Sequence, residues 1–196
     1  MKIQLHAKRD GITKLGPGTR FVVWTQGCPR SCPGCMTAAS QQMNGGFSAD
    51  TKQLAEEILQ SGRHGLTISG GEPFLQAKAL ADLIQEVRKK TDLGVMIYTG
   101  FTLEELQEAG NPDYKLLLEQ CDLLVDGPYM EELNDSKNLR GSSNQRAIPL
   151  TDRYEEYAKQ IGTKPAEIEM FYEEENISIV GVPPKNMFKK VKQIGF

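Results

Sequence analysis

The hydrophobic positions along this 196-residue chain switch repeatedly between two periods. Short β-branched and aromatic runs read as strands: Phe21-Val22-Val23-Trp24, Leu66-Thr67-Ile68-Ser69, Val95-Met96-Ile97-Tyr98 and Leu123-Leu124-Val125. Between them the apolar residues recur at helical spacing. Ser48 is placed to cap a helix to about residue 60, with Leu54, Ile58 and Leu59 on its apolar face and Gly62 as its stop. A second helix, over about 76–90, buries Leu80, Leu83, Ile84 and Val87, and Arg88, Lys89 and Lys90 suit its negative end. Thr102 with Glu105 makes a capping box for a helix ending near Gly110, and a short helix covers about 114–119.

Strands that alternate with helices predict an α/β fold of right-handed βαβ units on a mostly parallel sheet. In such sheets the functional loops leave the C-terminal ends of the strands. Four loops here follow strands: the cysteine loop after Trp24, Gly70-Gly71-Glu72-Pro73, Tyr98-Thr99-Gly100 and Asp126-Gly127-Pro128. They are expected to gather on one face. Cys121 precedes its strand, so it is expected at the opposite end as a small buried hydrophobe. After Ala147 the pattern changes. Residues 154–158 read as helix, and 166–172 and 177–182 as two strands joined by Glu173-Glu174-Glu175-Asn176, with Pro183-Pro184 as the stop. The expected division is a core over 1–150 and a C-terminal appendage, a helix and a β-hairpin, over 151–196.

Composition narrows the class. A hydrophobic content of 39% with 25% charged residues is that of a globular chain able to bury a core. Net charge is −3, so no basic field invites nucleic acid. No apolar run approaches a membrane span, and the N-terminus lacks the apolar core of a signal sequence. The expected compartment is a reducing cytoplasm.

The candidate chemistry lies in the cysteines. Cys28, Cys32 and Cys35 stand in Gly27-Cys28-Pro29-Arg30-Ser31-Cys32-Pro33-Gly34-Cys35-Met36, a C-x3-C-x2-C spacing. Three soft thiolates this close can wrap one iron–sulfur cube and leave one iron open. An open iron suits chemistry on a substrate and is what an electron carrier lacks. A structural zinc site needs four closed ligands; His6, His64 and Cys121 are distant in sequence, so zinc stays open only if the fold returns one of them. A disulfide framework would leave an odd thiol in the loop. Gly70 and Gly71 allow close backbone approach and positive φ, and exposed amides there can bind a zwitterion's charged ends. Alone, that run could equally be a tight turn with Pro73 at the first position of a helix.

With these motifs in one order, the chain resembles the radical S-adenosylmethionine (SAM) superfamily. Within it, the chain is most similar to the activating proteins of glycyl radical enzymes, above all those of anaerobic ribonucleotide reductase. The resemblance covers about residues 3–146. It rests on Gly16-Pro17-Gly18-Thr19-Arg20, Gln26-Gly27-Cys28-Pro29, Cys32-Pro33-Gly34-Cys35, Thr67-Ile68-Ser69-Gly70-Gly71-Glu72-Pro73, Tyr98-Thr99-Gly100-Phe101-Thr102, Leu124-Val125-Asp126-Gly127 and Arg140-Gly141-Ser142-Ser143-Asn144-Gln145-Arg146. It implies a partial (β/α) barrel. It implies that Cys28, Cys32 and Cys35 hold a 4Fe–4S cluster whose open iron is chelated by SAM. Ser69, Gly70, Gly71, Glu72 and Pro73 would position the methionine part, Gly34 and Met36 the adenine end, and Tyr98, Thr99 and Asp126 the ribose or the radical's path. A side chain at Gly71 would then weaken SAM binding and spare the cluster. The implied reaction is reductive cleavage of SAM to a 5′-deoxyadenosyl radical that takes hydrogen from a glycine Cα of a larger glycyl radical enzyme. An external one-electron reductant such as flavodoxin or ferredoxin would drive it. The alternatives are a radical SAM enzyme modifying a small molecule or peptide, and a non-enzymatic electron-transfer or zinc-binding module. Arg20, Arg30, Arg140 and Arg146 are candidates to meet acidic surface or SAM's carboxylate. Met36 and Pro128 depart from the subfamily, which often has an aromatic or histidine at the first position and a basic residue at the second.

Overall fold

A computed structural model describes residues 1–173 and 176–187; the middle of the expected hairpin turn and the end of the appendage lie outside the described residues. The chain forms β1 (Lys2–Ile12), β2 (Arg20–Thr25), β3 (Phe47–Asp50), α1 (Thr51–Gln60), β4 (Gly65–Gly70), α2 (Ala77–Arg88), β5 (Gly94–Tyr98), α3 (Leu103–Glu108), α4 (Pro112–Leu118), β6 (Leu123–Asp126), β7 (Arg146–Pro149), α5 (Glu155–Ala158), β8 (Ile168–Glu173) and β9 (Asn176–Gly181). Seven strands make one sheet in the order β3-β1-β2-β4-β5-β6-β7, and β8 and β9 form a separate hairpin. Strands β2, β4, β5 and β6 pair in parallel. β1 and β7 run against them, and β3 is antiparallel to β1. Five of the seven strands therefore point one way. The sheet stays open, with β3 and β7 at its edges, as in a partial (β/α) barrel.

The parallel strands are apolar at almost every position because both faces are buried. Phe21, Val23, Leu66, Ile68, Val95 and Ile97 pack with Leu54, Ile58, Leu80, Leu83 and Ile84 of α1 and α2. On the other face Met96, Leu123 and Val125 meet Leu139, Ala158 and Ile161. Ile12, Leu15 and Val22 meet Val180 and Val182. Ala158, Ile161, Val180 and Val182, all beyond 150, thus lie over the face that α1 and α2 leave free.

Three local expectations are corrected. Ser48 does not cap α1; it pairs with Gln4 inside β3. Asp50 is the cap, its Oδ1 accepting from the backbone of Lys52 and Gln53 at 3.0 and 3.4 Å, the same chemistry two residues later. Helix α4 starts at Pro112 under an Asn111 cap, two residues sooner than expected. Arg20 meets neither solvent nor ligand. It is fully buried, with its guanidinium donating to Thr67 Oγ1, Tyr154 Oη and the carbonyls of Pro17, Leu66 and Gly94. Gly16 and Gly65 leave room for it: a Cβ on either would stand 2.6 or 2.4 Å from that side chain.

Candidate active site

The cysteine loop leaves β2 and is fastened from outside. Gly27 N and Cys28 N donate to the carbonyls of Ser40 and Gln41, at 2.8 and 3.1 Å. Gln26 Nε2 holds the carbonyls of Ala39 and Gln42. The Gly70-Gly71-Glu72 loop, leaving β4, locks onto it: Gly71 N donates to Thr25 O and Glu72 N to Gly27 O, both at 2.8 Å. The two glycines make this contact possible. Gly70 has φ +103°, and a Cβ there would stand 2.4 Å from Thr25 N; a Cβ on Gly71 would stand 2.3 Å from Gly27 O. The close approach is thus of loop to loop, and a side chain at Gly71 would displace the residue before Cys28. The expectation that such a change spares the cluster is corrected.

Glu72 carries the lock across to β5. Its buried carboxylate accepts from Phe74 N at 3.1 Å, Thr99 Oγ1 at 2.8 Å and Gly100 N at 2.8 Å. Burial raises its pKa above the usual carboxylate range, and the three donors oppose that rise. Asp126 does the same for the next loop. Fully buried, it accepts from Leu103 N at 2.8 Å and Arg146 Nε at 3.0 Å. Arg146 also pairs with Glu104 at 2.6 Å.

These loops enclose a cleft of about 930 Å³ of empty space, open to solvent. Cys28, Cys32, Cys35, Met36, Ser69, Gly70, Gly71, Glu72, Tyr98 and Thr99 line it. Three sequence-predicted residues stand outside the lining. Gly34 faces Glu131, Pro73 opens a buried 3-10 turn, and Asp126 is occupied by Arg146. Sequence reasoning missed Trp24, Thr37, Tyr129 and Gln145, which also line the cleft. Gln145 was legible only as a member of the Arg140–Arg146 run, with no role of its own. Its Oε1 accepts from Gly141 N and Ser142 N, at 2.7 and 3.2 Å, and its Nε2 donates to Gly127 O. A Cβ on Gly141 would lie 3.1 Å from Met36 Cε, so the turn backs the Met36 wall. Of the remaining arginines, Arg30 lies 4.7 Å over the Phe101 ring and 3.6 Å from Glu105, and Arg140 pairs with Asp135 at 2.6 Å.

Two observations bear on what the cleft can hold. The three thiols face one space, with Thr37 Oγ1 3.9 Å from the Cys35 sulfur. Three soft thiol donors on one space, with no histidine among the residues that line it, are the donor set of an iron–sulfur cluster. Tyr98 Oη and Arg30 Nε, both on residues lining the cleft, are buried without a hydrogen-bond partner, as groups are where a ligand belongs. Cys121 is elsewhere. It is buried among the core side chains, with its thiol donating to Leu123 O at 3.2 Å. Burial raises its pKa far above the usual thiol value.

Three cleft-facing thiols in the loop after β2, with the glycine loop after β4 hydrogen-bonded to that loop's backbone, are the site of an iron–sulfur enzyme of the radical SAM class. A family model described as a 4Fe-4S single cluster domain matches residues 14–148. The anaerobic ribonucleoside-triphosphate reductase-activating protein of Vibrio cholerae is 33% identical over 140 residues, 66% of this chain and 87% of that one. Its counterpart from Enterobacteria phage T4 is 30% identical over 143 residues, 70% and 88% of the two chains. The pyruvate formate-lyase 1-activating enzyme of Escherichia coli K12 is 28% identical over 178 residues, 86% of this chain and 66% of that one. The chain belongs to the 4Fe-4S single-cluster family and, within it, to the family of anaerobic ribonucleoside-triphosphate reductase-activating proteins.

Proposed function

We propose that this enzyme installs a glycyl radical on a larger protein, an anaerobic ribonucleoside-triphosphate reductase. One observation carries the reading: three thiols and the Gly70-Gly71-Glu72 loop line a single cleft, and the backbone of that loop is hydrogen-bonded to the start of the cysteine loop, Glu72 N donating to Gly27 O. Cys28, Cys32 and Cys35 would hold the 4Fe–4S cluster. When bound, the cluster would supply one-electron reductive cleavage of SAM, the electron coming from a flavodoxin- or ferredoxin-like donor, and with it the radical chemistry that removes a hydrogen atom from a partner's glycine Cα.

The chain's own residues bind, orient and shield. Ser69, Gly70 and Gly71 would offer backbone groups to SAM's methionine end, with Thr37 Oγ1, which donates to Gly70 O at 3.2 Å, steadying that loop. Glu72, spent on Thr99, Phe74 and Gly100, is a positioning residue that fixes one loop against the next. Met36, beside Gly141 and Tyr129, would flank the adenine, and Tyr98, which lines the cleft and whose buried hydroxyl has no partner, would lie near the ribose or the radical's path. Leu15, Trp24 and Val182 give the cleft an apolar wall that keeps water from a reactive radical. Because the cleft opens to solvent, a protein loop can reach it. The chain would divide into a core over 1–150, which supplies the cysteine, glycine and strand-end loops, and a C-terminal appendage over 151–196. A reducing, cytoplasmic setting suits thiols that must stay unoxidised; among the described residues no helix is long and apolar enough to cross a membrane.

The test is anaerobic reconstitution with iron and sulfide, then mixing with SAM, dithionite and the anaerobic reductase of the same organism. A glycyl doublet in electron paramagnetic resonance is the expected result. SAM consumed stoichiometrically on a small molecule or short peptide, with no doublet on any glycyl radical enzyme of that organism, would overturn it.

A further inference from the structure

The hairpin β8–β9 carries apolar side chains on both faces. Inward, Phe171 and Val180 pack with Ile12, Leu15 and Val22, and the Arg9 guanidinium lies 4.4 Å from the Phe171 ring. Glu169, on that same face, accepts from Thr13 N and Thr13 Oγ1 at 2.9 and 2.8 Å. Directly paired residues of an antiparallel ladder share a face. Met170 pairs with Ile179, and Tyr172 with Ile177, so these four make the outward face. Met170 is 62% exposed, Tyr172 78% and Ile177 54%. A hairpin that only covered the sheet would turn polar side chains to water. A contiguous exposed apolar face marks an interaction surface.

The hairpin is continuous with the reaction cleft. At the end of β9, Gly181 has φ +119°, and a Cβ there would stand 2.6 Å from Glu167 O. The bend carries Val182 into the apolar wall, and both residues line the cleft. One residue further, Pro183 shares a second recess with Met36 and Tyr129. Met130 and Leu133, close to Tyr129 in the chain, are exposed at 36% and 39%. The end of the hairpin and the exposed Met130 and Leu133 thus belong to segments that border the same recess beside the cleft.

We infer that the outward hairpin face, anchored by Met170, Tyr172 and Ile177, is the docking surface for the protein substrate, an inference that rests on the function proposed above. A protein that brings a glycine to the cleft must pass the strand whose end forms the cleft wall. Specific interfaces bury roughly 800 Å² per partner, more than four side chains offer, so the rim at Met36, Met130 and Leu133 completes the contact. The occupant is therefore a folded protein with an apolar recess that takes this face and reaches the cleft wall at Gly181 and Val182.

The experiment uses the full-length reconstituted enzyme carrying Met170→Ser, Tyr172→Ser and Ile177→Ser together. Iron content and dithionite-driven SAM cleavage without partner should equal the unsubstituted enzyme. The apparent Kd for the anaerobic reductase should rise roughly tenfold or more, with glycyl doublet yield falling at limiting enzyme. Unchanged affinity and yield would overturn the docking surface and leave the function standing. So would a dimer of the unsubstituted enzyme that the triple variant splits while activation is unchanged, because a second copy would then cover the face. If the triple variant loses its cluster, Tyr172→Ser alone, at the most exposed position, is read by the same two assays. No doublet from the unsubstituted enzyme with any glycyl radical enzyme overturns the function itself, and the docking surface with it.

Discussion

Cys28, Cys32 and Cys35 stand partly exposed where parallel strands end, whereas Cys121 lies buried where β6 is about to begin. The side chain is the same in both regions. At the first, the backbone has left the sheet, and loops hold each other through backbone amides, so thiols can point into open space. At the second, helices α2 and α4 crowd the strand's start, and the thiol is packed as a small apolar group with one carbonyl to donate to. A sheet therefore sorts identical residues by the end of the strand that carries them.

The sharpest way to break this comparison is to exchange the roles. Cys28→Ala, Cys32→Ala and Cys35→Ala should each abolish cluster assembly and SAM cleavage, read by iron content and absorbance, while Cys121→Ala keeps both. Cluster loss in Cys121→Ala would end the three-thiol assignment. Next in size is Gly71→Val. Its side chain would collide with Gly27 O, so the variant should lose cluster and SAM binding together; intact iron content would show that the two loops are less tightly locked than their 2.8 Å hydrogen bonds indicate. Arg20→Met should leave several buried carbonyls without a donor and cost about 3 kcal/mol or more of stability by denaturant unfolding, with cluster affinity kept in whatever fraction folds. Cys121→Ala, read as stability, should cost only about 1 kcal/mol. The smallest effect concerns the cleft's rim. Arg146 holds the Glu104 carboxyl down to about 2 in the folded chain. A depressed carboxylate stabilises the fold above its unfolded pKa and loses that contribution as pH falls from about 4.5 toward 2. Glu104 is fully exposed, so Glu104→Gln should remove only a slight acid sensitivity in that window.

The comparison also explains what could be read without coordinates. The four parallel strands and the capping box at Thr102 were legible because their apolar and cap patterns are local. The antiparallel strands β1, β3 and β7 were not. β1 alternates buried and exposed positions only at Ile3 and Leu5 before turning polar, and β3 and β7 have four residues each, exposed or half-buried throughout. The three cysteines were legible from spacing, yet the roles of Glu72 and Asp126 were not. Each carboxylate takes a partner far along the chain, Thr99 at 27 positions from Glu72 and Arg146 at 20 from Asp126, and no local pattern announces such a pairing.

Arg20 reaches across three strands at the end of the sheet remote from the thiols, taking carbonyls from β4 and β5 and a hydroxyl from Tyr154 beyond residue 150. In a screen that scores only turnover, Gly16, Arg20 and Gly65 would therefore pass for members of the active site. A melting curve recorded beside each assay would unmask them: these three should fail by unfolding, and the cysteines by remaining folded and inert.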